Sequence, residues 1–281
     1  MTTIISNAPM RVVTAADEKY LPFLACHLIS LGEHASEAAP MEITVIQRGI
    51  SRQEQQKLEL LIPGYHKLRW VEPNTTLLRK LGAPPDFANL SPHYFRLLIP
   101  FLMPNEARAI YLDADTIVLK EVFSLWVTDL EDRVVAAVRD YLPCVCDAVG
   151  NWEELRLNPN APYFNSGVLV MDLVQWRREK ISQRALSACQ KYQHRLLAQG
   201  KWNQYDQYGL NVVIHGNWKA LNPAWNHGAD LPQSEARIVH FVGNGKPALP
   251  TCQPLFSRLF FDTLARTSYA GRYPADNNIS Y

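Results

Sequence analysis

The sequence predicts an α/β fold built on a mostly parallel sheet, and three observations carry that expectation. Short apolar runs alternate with longer amphipathic ones through the first half of the chain, the rhythm of strands crossed by helices. The 281 residues are 47% hydrophobic and 20% charged, which supplies a large core and excludes a disordered or low-complexity chain. Helix-start chemistry precedes several of the amphipathic runs.

Residues 11–16 read as the first strand, entering a loop at Ala16-Asp17, and residues 21–31 as a helix with Pro22 in its first turn. A second strand covers 42–47. Ser51 with Glu54 three residues later makes a capping box ahead of a helix through Leu61, and Ser91-Pro92 reads as an N-cap followed by proline at the first helical position. Residues 109–112 form a strand that delivers Asp113-Ala114-Asp115 ahead of a second apolar run, 116–119. Strands at 134–138 and 168–171 follow, then one long helix from about 173 to 197. A Pro/Asn/Gly-rich stretch, 217–230, leads to a strand at 237–242 and a helix near 254–265. No internal repeat and no long linker interrupts the chain, so one domain over 1–250 with a helical extension over 251–281 packed on it is the simplest organisation.

Composition also narrows the function. With 28 Lys+Arg against 27 Asp+Glu the formal charge is +1, so no basic footprint for nucleic acid is present. Five cysteines at 26, 144, 146, 189 and 252 are an odd, scattered set that makes no disulfide framework, which points to a reducing compartment. Cys144-Val145-Cys146 has a spacing unlike a zinc knuckle and is expected to be unpaired. Residues 1–11 lack a signal-peptide pattern and no window approaches ~18 uninterrupted apolar residues, so a cytoplasmic chain is expected, at most peripheral to the inner face of a membrane. Asn-x-Ser/Thr triplets at Asn74, Asn89 and Asn278 carry no weight without secretory entry.

The sharpest local feature is Asp113-Ala114-Asp115. In an extended segment residues two apart share a face, so both carboxylates should point to one side at the carboxyl end of a strand. Two like charges about 4 Å apart repel by roughly 4 kcal/mol at an effective dielectric of about 20, which a divalent cation or a shared proton relieves. A solvated acidic turn is the plain alternative, and the pair alone does not choose between them.

Further motifs do. They are Thr14-Ala15-Ala16-Asp17-Glu18-Lys19-Tyr20, Tyr94-Phe95-Arg96-Leu97, Phe164-Asn165-Ser166-Gly167-Val168, Asp206-Gln207, and His240-Phe241-Val242-Gly243-Asn244-Gly245-Lys246-Pro247. With the acidic pair, in this order and at these intervals over about residues 11–247, they resemble the family 8 retaining glycosyltransferases, which include bacterial lipopolysaccharide galactosyltransferases and glycogenins. The resemblance implies a single nucleotide-sugar-binding α/β domain of the GT-A type, with UDP-galactose or UDP-glucose as donor, Mn²⁺ (or Mg²⁺) as the metal, and a carbohydrate or glycolipid acceptor.

It also implies roles. Asp113, Asp115 and His240 match the metal ligands, a donor set that suits Mn²⁺ better than structural zinc. Ala15, Asp17 and Tyr20 fall in the loop matched to uracil and ribose. Ala114 lies within the acidic motif, and Gly243 and Lys246 match the diphosphate cradle, where glycine lets the backbone approach and the ammonium offsets charge. Arg96 matches a residue contacting donor sugar or phosphate. Asp140, at the end of the 134–138 strand, and Asn165 with Ser166 match residues lining the transferred sugar. Asp206 matches a sugar-hydroxyl ligand, and Gln207 lies beneath the anomeric carbon. An amide is a poor nucleophile beside the carboxylates of retaining hydrolases, so front-face departure and attack is the expected route. Tyr208, Ala248 and Lys19 depart from the pattern, where an acid, an aromatic residue and Asn are common.

Other readings remain open. A hydrolase could use the same metal site, and a non-catalytic binder would be expected to lose one of the three ligands. Self-glucosylation on tyrosine, with Tyr273 or Tyr281 as candidates, is a variant of the transferase. The helix near 254–265, with its Arg and Phe residues, could lie at a membrane interface, although packing on the domain is the preferred reading. Of Trp202, Trp218 and Trp225, at least two are expected in the core.

Overall fold

In the computed structural model, residues 9–83, 92–200, 205–232 and 235–273 are described. In chain order the elements are β1 (Met10–Asp17), α1 (Leu21–Glu33), β2 (Met41–Arg48), α2 (Arg52–Glu59), β3 (Lys67–Val71), α3 (Thr75–Leu81), a 3₁₀ helix (Pro92–Leu98), α4 (Ile99–Leu102), β4 (Arg108–Leu112), β5 (Thr116–Val118) and α5 (Phe123–Trp126). There follow β6 (Val135–Cys144), α6 (Val145–Ala148), β7 (Pro162–Asp172), α7 (Leu173–Arg178), α8 (Ile181–Ala198), α9 (Tyr205–Ile214), β8 (Trp218–Ala220), β9 (His227–Gly228), β10 (Ile238–His240) and α10 (Pro254–Leu264). The fold is α/β with a mostly parallel sheet, as expected. The chain divides into two compact units, one of residues 1–71, 112–127 and 222–281 and the other of 72–111 and 128–221.

In the first unit β1 and β3 flank β2 in parallel register, and β1 and β2 each carry an unbroken run of five buried positions. Strands covered on both faces read as continuous apolar runs, which is why both were legible. β3 was not foreseen, because its residues are only half-buried or exposed and Lys67 and Arg69 interrupt its apolar positions. A small sheet sets β10 between β5, antiparallel, and β9, parallel. α10 packs on α1, with Phe260 against Phe23 and the Cys26 thiol donating to the Phe260 carbonyl. Phe256, Phe260 and Leu264 are buried there, which favours the packed reading of this helix.

The α2 start is half of the box the sequence promised. Ser51 Oγ accepts from the Glu54 N–H at 3.3 Å, while the Glu54 carboxylate turns to Tyr269 Oη (2.7 Å), Lys57 (2.9 Å) and Arg272 (3.2 Å). α3, also unforeseen, is bounded by Asn74, whose side chain accepts from Thr76 and Leu77, and by Gly82 at φ +84°.

In the second unit the order is β4-β7-β6-β8, with β6 antiparallel to β7 and parallel to β8. The expected helix of 173–197 is two helices. Lys180 adopts φ +50° between them, and α7 starts on an Asp172 cap that accepts from Gln175. The segment after Pro92 is 3₁₀ rather than α, and its expected cap, Ser91, lies outside the described residues. Trp218 and Trp225 are buried, as expected of core tryptophans, and Trp202 lies outside the described residues.

Candidate active site

The acidic pair sits in the turn joining β4 to β5, not in an extended segment, so strand alternation is not what brings the carboxylates together. The turn is closed from behind. Thr116 Oγ1 donates to the Asp113 carbonyl at 2.8 Å and lies 2.9 Å from His27 Nδ1, so it accepts the Nδ1–H of that fully buried imidazole. Burial pushes the His27 pKa down to about 4, which keeps the ring neutral.

β10 places the third member of the cluster, His240. Its pairing with β5 sets His240 opposite Thr116, and the Phe241 N–H donates to the Asp115 carbonyl at 2.9 Å. His240 Nε2 then lies 3.2 Å from Asp115 Oδ1 and 3.7 Å from Asp113 Oδ2. One ligand atom from each of the three residues falls within 4.8 Å of the others. On the far side of the ring, Nδ1 is 2.8 Å from Asn226 Oδ1. A proton on Nδ1 serves that bond and leaves the Nε2 lone pair facing two carboxylates, an arrangement that wants a cation between them. The donor set therefore fits a divalent ion of the oxygen- and nitrogen-preferring kind.

Lys246 Nζ lies 2.7 Å from Asp115 Oδ2 and 3.3 Å from Tyr20 Oη, with the Tyr20 and Phe23 rings beside it. Burial pushes the Asp115 carboxyl up, but the Lys246 ammonium beside it outweighs that and holds the group well below the usual carboxylate range. Gly243 takes φ +51° at the turn before Lys246, a conformation that favours glycine. At Gly245 a Cβ would come within 3.2 Å of Ala229 Cβ and Asp230 N, so the small residue allows close packing there. Ala15 lies buried in β1 and Ala114 is buried in the acidic turn. Asp17 ends β1 and caps the following 3₁₀ turn through its Oδ1, which accepts from Lys19 N. These sequence-predicted residues of the first unit, Asp17, Tyr20, Asp113, Asp115, His240, Gly243 and Lys246, all find structured positions. Asn226 was missed, because nothing in its Pro/Asn/Gly-rich surroundings marks one asparagine over another.

The second unit gathers the remaining candidates into one buried network. Arg96 Nε lies 2.9 Å from Asp206 Oδ2, its Nη1 donates to the Ser166 carbonyl, and its guanidinium sits 4.5 Å over the Tyr111 ring. Gln207 Oε1 accepts from Ser166 N (2.8 Å) and Ser166 Oγ (3.3 Å), while its Nε2 donates to Asp140 Oδ2 at 3.1 Å. Asn165 Nδ2 donates to the same Asp140 oxygen at 2.9 Å. Asp140 does not end its strand, as the sequence suggested. It lies within β6 where the register with β7 shifts between Arg139 and Cys144, and a bulge of this kind re-aims side chains. Asn211, one turn after Gln207, ties α9 to β7 through both the N–H and the carbonyl of Phe164. Tyr208, where an acid is common, donates to Asn151 Oδ1 at 2.8 Å and is buried.

The α/β scaffold thus carries an Asp-x-Asp turn with a facing histidine in its first unit and a buried Arg-Asp-Gln network in its second, the concentrated polar groups of an enzyme. The profile of Glycosyl transferase family 8 matches residues 11–249, and the chain belongs to that family and is a glycosyltransferase. It is 27% identical over 276 residues to General stress protein A of Bacillus subtilis (strain 168), with 85% of this chain and 87% of that protein covered. A 153-residue match, 28% identical, links it to Glycosyltransferase GlyA of Streptococcus pneumoniae serotype 4, covering 51% of this chain and 19% of that protein. Among solved structures, galactosyltransferase LgtC in complex with donor and acceptor sugar analogs superposes with a TM-score of 0.74 at 22% identity, covering 94% of this chain and all of that one. The WbbM bifunctional glycosyltransferase gives 0.75 at 20% identity, covering 96% and 52%. At these identities the structural likeness establishes the fold.

Proposed function

We propose that the chain is a retaining hexosyltransferase that moves galactose or glucose from a UDP-sugar to a hydroxyl of a carbohydrate or glycolipid, with Mn²⁺ as the metal. The observation that carries the reading is the convergence of Asp113, Asp115 and His240 with Lys246 beside them. Asp113, Asp115 and His240 would hold the ion, which supplies positive charge to the donor diphosphate. Lys246 adds an ammonium to the same anion, and the turn at Gly243 lets the backbone approach it. Ala15, Asp17 and Tyr20 serve the uridine. Asp140, Asn165 and Ser166 line the transferred sugar, Asp206 binds its hydroxyls, and Arg96 contacts the donor sugar or phosphate. The catalytic domain is taken to cover 1–250, with 251–281 as its helical extension.

Gln207 is held at both ends of its amide, the oxygen by Ser166 and the nitrogen by Asp140. A carbonyl oxygen already accepting two hydrogen bonds is a weak nucleophile, which supports a front-face route. The bond from the anomeric carbon to the phosphate oxygen breaks, the acceptor oxygen bonds to that carbon from the same side, and the acceptor's proton passes to the departing phosphate oxygen. Positioning and charge stabilisation then supply the rate. The self-glucosylating variant finds less support, since the Tyr273 ring packs against Phe23, Phe260 and Phe261; Tyr281 lies outside the described residues.

No helix among the described residues is long and apolar enough to cross a membrane. A cytoplasmic location, at most peripheral to a membrane, is proposed with the function. The test is UDP release from a panel of UDP-sugars with Mn²⁺, with and without EDTA and with and without candidate acceptors. Metal-dependent, acceptor-dependent release from UDP-galactose or UDP-glucose is expected. Free sugar formed at the same rate with or without acceptor would make the chain a hydrolase instead.

A further inference from the structure

A second trio of ligand atoms lies at the end of β6, on residues the glycosyltransferase reading does not use. Cys144 Sγ donates to Asp147 Oδ2 at 2.7 Å and lies 2.7 Å from Cys146 Sγ, which is itself 3.9 Å from Asp147 Oδ1. The three side chains bring one ligand atom each within 4.8 Å of the others. One carboxylate thus reaches both thiols.

The backbone beneath them is fixed. Cys144 pairs with Pro162 of β7, the Val145 N–H donates to the Ala161 carbonyl at 2.9 Å, and the Cys146 N–H donates to the Pro159 carbonyl at 3.0 Å. Three consecutive residues are therefore pinned to segment 159–162, and the thiols converge without any ordering step. Cys146 and Asp147 are exposed, so the site is open to solvent on one side.

We propose that Cys144, Cys146 and Asp147 form a surface site for a thiophilic divalent cation such as Zn²⁺, with water completing a tetrahedral shell. Two sulfurs and one carboxylate suit that ion, whereas the oxygen- and nitrogen-bearing trio of Asp113, Asp115 and His240 suits Mn²⁺. The two sites thus sort metals by ligand softness. Uptake forms two metal–sulfur bonds and one metal–oxygen bond and releases the two thiol protons to solvent, with no electron transferred. A disulfide between the two cysteines would leave the convergent carboxylate without a role, so the metal is the better account of all three side chains.

The test uses the full chain, reduced and stripped of metal, titrated with Co²⁺ and then Zn²⁺. Near-ultraviolet thiolate-to-cobalt charge-transfer absorption saturating at one equivalent, and abolished by Zn²⁺, is expected. Cys144→Ser and Cys146→Ser should each remove the band, Asp147→Asn should weaken binding about 10-fold or more, and Asp113→Asn should leave the band intact. In the unsubstituted protein, Zn²⁺ should slow alkylation of Cys144 and Cys146 as mapped by mass spectrometry, a readout that does not depend on any variant folding. Absence of the band in reduced protein, its persistence in Cys146→Ser, or alkylation rates unmoved by Zn²⁺ would overturn the proposal. So would a purified protein two hydrogens lighter than its reduced form that takes up no metal after reduction, which would make the pair a disulfide.

Discussion

Asp115 touches His240 through one oxygen and Lys246 through the other. Asp115→Asn keeps the shape and removes the charge, so metal-dependent transfer should fall by several kcal/mol of barrier, read as a loss of kcat/KM of at least about 100-fold. Turnover close to the unsubstituted enzyme would take the metal out of the mechanism. Arg96 answers to a different rule. Its pairing with Asp206 is buried on both sides, so Arg96→Ala strands a charge in the interior and should cost about 3–5 kcal/mol in urea unfolding, beyond any loss of activity.

His27, behind the acidic turn, sets a pH dependence of stability. Its folded pKa lies below its unfolded value, so the unfolded state binds more protons as pH falls from about 6.5 to about 4, and stability drops across that window by on the order of 3 kcal/mol. The depressed Asp115 carboxyl contributes with the same sign below about pH 4, where the unfolded chain takes up its proton. Urea midpoints measured between pH 7 and 4 should show the loss, and His27→Leu should flatten it. An unchanged slope in that variant would assign the acid sensitivity elsewhere.

At the scale of elements, α9 and its neighbour α8 decide whether the network of Arg96, Asp206, Gln207 and Asp140 exists. A Cβ on Gly209 would lie 2.4 Å from the Ala185 carbonyl oxygen and 2.6 Å from Cys189 Sγ, so the two helices approach as closely as a bare backbone permits. Gly209→Ala should therefore destabilise the protein by about 2 kcal/mol or more and, by shifting Asp206 and Gln207, lower kcat as well. Thermal unfolding and steady-state kinetics on the same sample test both. This glycine was invisible in the sequence, where a glycine inside a helical run reads only as a small propensity loss. The break at Lys180 was equally hidden. Apolar periodicity continues across 173–197, and only packing shows that one residue adopts a left-handed backbone between two helices. The buried strands β1 and β2 were legible for the opposite reason, since a run of apolar β-formers leaves few alternatives.

For the molecule as a whole, ligands of the native state alone should raise its stability in proportion to their affinity. Mn²⁺ is expected to raise the Tm, Mn²⁺ with UDP to raise it further, and EDTA to reverse both. Asp113→Asn should abolish the metal-dependent increment while leaving the metal-free Tm within a few degrees, whereas Asp115→Asn should abolish the increment and also lower the metal-free Tm, because it leaves the buried Lys246 ammonium without its carboxylate. A UDP effect indifferent to Mn²⁺ would place nucleotide binding outside the Asp113, Asp115 and His240 trio.

The amino-acid sequence alone determined the α/β class, the order of most strands and helices, and the chemistry available at each motif. These follow from local periodicity and from side-chain identity. What the tertiary structure decided is which of those groups meet. Lys246 finds Asp115 across 131 residues because β10 pairs with β5 in one register and the chain turns at Gly243. Asn226 becomes the partner of His240 because β9, which follows it directly, pairs with β10, and Asp140 reaches Gln207 and Asn165 through a bulge that no local pattern announces. A contact between distant positions depends on strand register and helix approach, and both are set by the packing of the whole core rather than by the residues that finally touch.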